Sequence, residues 1–458
     1  MDPEGGGYVT ERTMVGPGVV VTGFGPDAAV ITDGAVVWEG ERIVAVGPYG
    51  ALAGRYPGAE HLEVDGNLIL PGLVNLHHHA YSALARGLDP GIPMHDFGRV
   101  LRGLWWRLDR ALDEETVRLS AELTLAACIR WGCTTLFDHH ASPSFLRGSL
   151  DLIGLAAERS GIRAVLCYEV SDRNGHHEAL AGLEENLDFA VRHRDHPSLR
   201  GMLGLHASFT LSDETLSRVG RDRPGGVGIH VHVAEDPLDV ELSWQRYGAG
   251  PVERLERAGL LDRLALLVHG VHLEEVDLET VAASGAVLVH NPESNANNAV
   301  GTLDLARALG AGCRVGLGTD GMSSRMLGSL RSALLAQRSL RGDPGCCFTE
   351  VAGLLEVNAR RAAEALGEPL LGRLEPGAPA DLVVLEDVPP TPPGPENILG
   401  HLVYGASESP VRHTIARGRI LLRDGRHTTL DPATLAAEAR ATAPYLWERF
   451  ASLGGDGD

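Results

Sequence analysis

His77 and His79 sit two residues apart at the end of an apolar run, and a second such pair, His230 and His232, occurs later in the chain. On a strand, residues two apart share a face, so each pair aims two imidazoles the same way while His78 turns aside. Two imidazoles on one face can chelate a divalent ion. Taken singly, an H-x-H is equally a pair of solvated loop histidines. Its company changes the reading. Glu235 follows His232 by three residues, His269 closes the run LALLVHG, and Asp320 closes CRVGLGTDG, flanked by Gly318 and Gly321. Glycines beside an aspartate also mark a plain tight turn, but here they would let backbone approach a site closely. Histidines and a carboxylate drawn from four strand ends make a metal centre, with a carboxylate next to it fit for proton transfer.

The elements that must position these groups have a regular rhythm. Eight apolar runs, LILPGLVNLHHH, TTLFDHH, RAVLCYEVSD, GMLGLHAS, GVGIHVHVAE, LALLVHG, AVLVHNPESN and CRVGLGTDG, each end in His, Asp, Glu or Asn. Amphipathic stretches such as Glu114–Arg130 and residues 150–160 lie between them. Buried strands alternating with helices predict parallel βαβ units, and eight of them predict an α/β fold of the (β/α)8 TIM-barrel type, with its site at the C-terminal strand ends. Short β-runs with turns fill residues 19–70 and return in ADLVVLE and VRHTIARGRILLRDG, so the two ends are expected to combine as a small β-sandwich domain. The expected division is residues 1–70 and 372–430 for the two parts of the sandwich, 71–371 for the barrel, and 431–458 for a C-terminal helix and tail. A Pro-rich connector at residues 389–395 reads as a surface loop.

Composition removes several alternatives. The chain has no lysine; all 40 of its basic residues are arginine, which excludes Schiff-base chemistry, P-loop phosphate binding and a carbamylated-lysine metal bridge. A net charge of −21 from scattered carboxylates argues against nucleic acid as a partner. No apolar run is long enough for a membrane span, and residues 1–7, acidic and glycine-rich, do not read as a secretory signal. Six cysteines without C-x-x-C or framework spacing fit a reducing cytoplasm.

The strings PGLVNLHHHAYS, H-x-x-E at His232 and Glu235, LVHG and GLGTDG together resemble the amidohydrolase superfamily, over essentially the whole chain. GRLEPGAPADLVVLE resembles the point where such chains leave the barrel for the β-domain. WWRLDRALDEE, DHHASP, YEVSDRNG and HVAEDPLDV resemble the SsnA-type aminohydrolases, near the 8-oxoguanine deaminases and triazine chlorohydrolases. The resemblance implies that His77, His79, His232 and Asp320 ligate one divalent metal per chain. It implies that Glu235 shuttles protons, that His269 orients the attacking water, and that His206 touches substrate. Zinc is the expected ion, and Fe2+ or Mn2+ fit the same ligands. The implied partner is a small molecule, with association into a homo-oligomer as a family habit.

The reaction so implied is deamination of an amino-substituted N-heterocycle, of purine, pterin or related type. A divalent metal lowers the pKa of bound water to supply hydroxide near neutral pH. Asp320 and His269 take or hold its proton, and Glu235 protonates the ring nitrogen. Loss of chloride or an alkylamine from a triazine-like ring uses the same site, as does an acyclic amidine or guanidine. The reading of another class is an inactive barrel that serves as a binding partner. Asn291, Ser294 and Asn295 follow the seventh run and are expected to contact substrate. Trp105 offers a stacking face, although paired tryptophans (Trp105, Trp106) in such a segment are commonly core. His139, His140 and Glu169 either line the pocket or cap their strands. His176 and His177 read as solvated loop residues.

Overall fold

The computed structural model describes residues 12–454, so residues 1–7, on which the signal-peptide expectation rests, lie outside the described residues, as does the end of the tail. The N-terminal strands are β1 (Arg12–Val21), β2 (Val30–Glu39), β3 (Arg42–Pro48), β4 (Glu60–Leu62) and β5 (Leu68–Pro71). The middle of the chain supplies β6 (Leu73–His78), β7 (Cys133–His140), β8 (Arg163–Tyr168), β9 (Leu199–Gly201), β10 (Leu203–Ala207), β11 (Ile229–Val233), β12 (Leu266–His269), β13 (Val287–His290) and β14 (Arg314–Leu317). Four more follow: β15 (Leu382–Leu385), β16 (Val411–Ala416), β17 (Arg419–Arg423) and β18 (Arg426–His427). Each of the eight apolar runs read from the sequence contains one of the middle strands.

Those middle strands pair in parallel as two sheets, β6-β7-β8-β9 and β10-β11-β12-β13-β14. The sheets meet along both margins. At one, Thr319 and Asp320 donate their backbone N–H groups to His77 O at 3.1 and 3.0 Å; at the other, His206 N–H donates to Val170 O at 2.9 Å. Asn358, on the helix Phe348–Leu366, stitches the first margin. Its Nδ2 donates to Val74 O and Leu317 O, both at 2.8 Å, and its Oδ1 accepts from Leu317 N–H. A buried amide so placed satisfies backbone groups that no neighbouring strand reaches. Between the strands lies an apolar cluster of Val74, Leu76, Phe137, Val165, Leu266, Val268, Val287 and Val289, plugged by Ala362 and Leu366 of the same helix.

The helices obey local rules. Glu114–Arg130 begins at a capping box in which Asp113 Oδ1 accepts from Thr116 N–H and Thr116 Oγ1 accepts from Asp113 N–H. Its bounds are those read from the sequence. The C-terminal helix Pro432–Ser452 starts with proline at N1 after the Asp431 cap and is tied down by Trp447 Nε1, which donates to Leu84 O at 2.9 Å. His176 and His177 are exposed as expected, but they open the helix Pro-free at His176–Arg192 rather than lying in a loop, because Gly175 with φ +100° ends the preceding turn there.

The two chain ends do join. The strand order is β18-β17-β16-β15-β5-β1-β2-β3, with β4 on β1, so nine strands from both ends share one sheet. Val15, Val20, Ile69, Leu382, Val384 and Ile415 form its buried face. Residues 389–395 form an exposed to half-buried loop without strand or helix. Among the described residues, no helix is long and apolar enough to cross a membrane.

Candidate active site

The C-terminal ends of the middle strands carry buried histidines that pure packing would not place there. His77 leaves β6 fully buried, its Nδ1 2.9 Å from His230 Nε2 and its Nε2 without a partner. His79 Nδ1 donates to His139 O at 2.6 Å, and His232 Nδ1 donates to His206 O at 2.8 Å. Each carbonyl fixes the tautomer, leaving a lone pair on the other ring nitrogen. Yet His79 Nε2 and His232 Nε2 face one another at 3.2 Å. Two lone pairs aimed together in a buried site repel unless a cation lies between them. Burial, then the neighbouring imidazoles, holds His77 and His232 well below the ordinary histidine pKa, so both are neutral donors.

Asp320 completes this cluster, 3.3 Å from His79 Nε2 and 3.8 Å from His77 Nε2. Burial pushes its carboxyl up, but His79, His269 and hydrogen bonds from Ser294 Oγ (2.6 Å) and Gly321 N–H outweigh it, and the pKa falls below the usual aspartate value. The groups His77–His79–His232 and His77–His269–Asp320 each bring their ligand atoms within 4.8 Å of one another, and so does His79–His139–Glu169. The third group already has a resident cation, because Arg173 Nη1 donates to Glu169 Oε1 at 2.7 Å. That favours the first two as a place for an added ion.

Backbone strain gathers at the same strand ends. Ala234, His269 and Asp320 all take left-handed φ, of +47°, +74° and +52°. Such conformations cost on the order of 1–3 kcal/mol each and cluster where function demands them. Gly318 meets a different demand. A Cβ there would come within 2.4 Å of Asn291 Oδ1 and 2.9 Å of His77 Cβ, so only glycine lets β14 approach β6 this closely.

Glu235 lies beyond β11, 3.5 Å from His269 Nε2, and accepts from Asn298 Nδ2 at 3.2 Å. Burial raises its carboxyl to about 7, against the pull of His269. A carboxyl poised there can both donate and accept a proton near neutrality. His269 Nδ1 meets Asn295 Oδ1 at 2.8 Å, and its Nε2 points at Glu235 and, at 3.9 Å, at Asp320.

These groups open on a pocket of about 800 Å³, its mouth included, lined by His79, His206, His232, Glu235, His269, Ser294 and Asp320. The far wall is aromatic and acidic: Phe97, Leu101, Trp105, Trp106 and Asp109 from one helical segment, with Tyr81, Phe209, Glu169 and Met322. The π-helical turn Leu101–Trp105 keeps residues four apart on one face, so 97, 101, 105 and 109 all look inward.

Of the sequence candidates, His77, His79, His232, Glu235, His269 and Asp320 are brought together, and His206, Ser294 and Trp105 line the pocket. Asn295 and Asn291 do not line it; Asn295 holds His269, and Asn291 packs against Gly318. Of the residues left open, Glu169 lines the pocket, His139 stands behind it with its Nδ1 3.4 Å from Glu169 Oε2, and His140 turns away to Ser142 Oγ at 2.7 Å. Trp106 and Asp109 were not singled out for the pocket. The four-residue spacing from Phe97 to Asp109 was the available signal; residues four apart share a helical face but drift about 40° per step at 3.6 residues per turn, and the π turn at Leu101–Trp105 offsets that drift.

Comparison with known proteins agrees with this geometry. Residues 68–421 match the amidohydrolase family, and residues 34–59 match an imidazolonepropionase-like composite domain of bacteria. The chain is 33% identical over 424 residues to a 5-methylthioadenosine/S-adenosylhomocysteine deaminase of Desulforudis audaxviator (strain MP104C), a match that covers 91% of this chain and 95% of that one. An adenosine deaminase from Xanthomonas campestris with bound zinc superposes with a TM-score of 0.82 at 24% identity, over 96% of this chain and 98% of the other. An atrazine chlorohydrolase from Arthrobacter aurescens TC1, complexed with zinc, gives 0.76 at 24% identity over 94% and 100%. The last two are likenesses of fold alone. With the family matched over most of its length, the chain belongs to the amidohydrolase family.

Proposed function

We propose that this protein is a metal-dependent aminohydrolase that deaminates an amino-substituted N-heterocycle, of purine or related type, and releases ammonia. The observation that carries the reading is the opposed pair of ring nitrogens on His79 and His232, with Asp320 and the unpartnered His77 Nε2 beside them. His77, His79, His232 and Asp320 would hold one divalent ion, with zinc favoured by the zinc-bound fold neighbours. The ion would supply Lewis acidity and make a water acidic enough to yield hydroxide near neutral pH.

The protein's own groups do the rest. Asp320 and His269 take and hold the water's proton, with Asn295 keeping His269 in one tautomer. Glu235, held near neutrality by burial, gives a proton to the ring nitrogen as the adjacent carbon becomes tetrahedral. The carboxylate so formed takes the proton of the new C–O–H group and passes it to the departing amine as the carbonyl forms, and the proton held by Asp320 and His269 restores Glu235. His206 and Ser294 contact the ring, and Trp105 covers it. The deaminase names of the relatives support this choice of leaving group.

The bonded margins between the two parallel sheets support one closed (β/α)8 barrel over residues 71–371 as the architecture that holds the site. A β-sandwich over residues 12–70 and 372–430 flanks it, followed by a helix and tail over residues 431–454, the outermost residues of both segments lying outside the described ones. Free thiols at all six cysteines support a reducing cytoplasm.

The test is ammonia release by metal-loaded protein over a panel of amino-purines, pterins, pyrimidines and triazines, with Glu235→Gln as blank. Release from one ring class, absent in the blank, is expected. Chloride release from a triazine without ammonia from any ring would replace the deaminase reading with a chlorohydrolase one.

A further inference from the structure

The pocket wall facing the metal-ligand cluster has an unusual charge make-up. Five carboxylates line the pocket, Asp109, Glu169, Glu235, Asp239 and Asp320, and among the described residues neither arginine nor lysine does. The cation nearest that wall, Arg173, is fully engaged. Its guanidinium donates to Glu169 and to Asp109 and lies 5.4 Å over the Trp106 ring, with 9% of its side chain exposed. Asp239 is engaged too, accepting from the backbone N–H groups of Ala234 and Phe209. Asp109 Oδ1 and Trp106 Nε1, one acceptor and one donor, are buried at the wall without partners. A neighbouring depression that shares Phe97 and Asn298 with the pocket holds Asp96, Asp236 and Glu241 and, among the described residues, one guanidinium, that of Arg102.

We infer that the substrate ring carries a neutral or cationic extension toward Asp109, and that the pocket rejects the same ring bearing a phosphate or a free carboxylate there. This deepens the deaminase reading and rests on it. An anionic tail would be buried against Glu169 and Asp109 with no free cation to receive it, and an unpaired buried charge is among the costliest arrangements in a protein. A neutral tail that both donates and accepts, such as a hydroxyl or an amide, would match the unpartnered Asp109 Oδ1 and Trp106 Nε1. Burial pushes the Asp109 carboxyl up to about 7 against the pull of Arg173.

Matched pairs decide it: adenosine against its 5′-phosphate, and adenosine against its 5′-carboxylic acid. Each is measured on the metal-loaded protein by ammonia release and, separately, by calorimetric binding. The uncharged member is expected to show kcat/KM at least roughly 100-fold higher. Asp109→Asn, which removes one of the two negative charges held by Arg173, is expected to narrow that ratio by roughly tenfold; if the variant does not fold, the wild-type pairs still decide. Equal or tighter binding of the anionic members overturns the inference. Binding of the neutral members without ammonia release removes the deaminase reading and leaves this one standing. Silence of every pair in calorimetry overturns it, since the pocket then accepts no such ring.

Discussion

The two ends of the same parallel strands are chemically unlike. Toward their N-terminal ends Val74, Val165, Leu266 and Val287, with Phe137 packed among them, fill the interior with side chains that have nothing to satisfy but contact. At the C-terminal ends stand His77, His79, His232, His269 and Asp320, with left-handed backbone and unpartnered ring nitrogens. One end carries stability with no chemistry, and the other carries chemistry that the first must hold in place. Separation along one element is what lets a rigid scaffold tolerate a strained site.

Substitutions can break that division or sharpen it. The largest effect is expected from His232→Ala, which should abolish turnover and metal retention together, read by elemental analysis after dialysis. A full metal complement in that variant would remove His232 from the ligand set. Next, Glu235→Gln should keep the metal and lose about 10²–10⁴-fold in kcat; near-normal rates would show that the proton travels elsewhere. Phe137→Ala, at the other end, should cost about 3–5 kcal/mol in denaturant unfolding and leave metal stoichiometry intact. Loss of metal from the folded variant would mean the two ends are coupled rather than separate. The smallest of the four is Asn295→Ala, which leaves His269 Nδ1 unheld and should lower activity about 10–100-fold. Its pH profile should change with it, and an unchanged profile and rate would reduce Asn295 to packing.

The sequence made the strand ends legible because they obey a short-range rule: an apolar run stops and a ligand-capable residue begins. Glu114–Arg130 was legible for a similar local reason, its Asp113 and Thr116 cap. The acidic and aromatic wall was not. Asp109 meets Arg173 across 64 residues of chain, and Glu169 is drawn into the same network from the end of another strand. Nothing local in WWRLDRALDEE says that its aspartate will find a guanidinium, or that a π turn will bring Phe97, Leu101, Trp105 and Asp109 into line. Asn291 and Asn295 show the reverse limit. Both were expected to contact substrate from their place after β13, but chain position says nothing of whether a side chain meets substrate or supports a neighbour.

The sheet shared by the chain ends has a bearing on biosynthesis. β5 lies between β1, made early, and β15, more than three hundred residues downstream by number. As the chain leaves the ribosome, the apolar edge Leu68–Pro71 must wait until nearly all of the remainder has been made before its partner exists. An exposed apolar strand edge is a template for the wrong neighbour. The nascent protein therefore has a long interval in which a chaperone, or a slow pace of translation, would matter more to its yield than the stability of its finished fold.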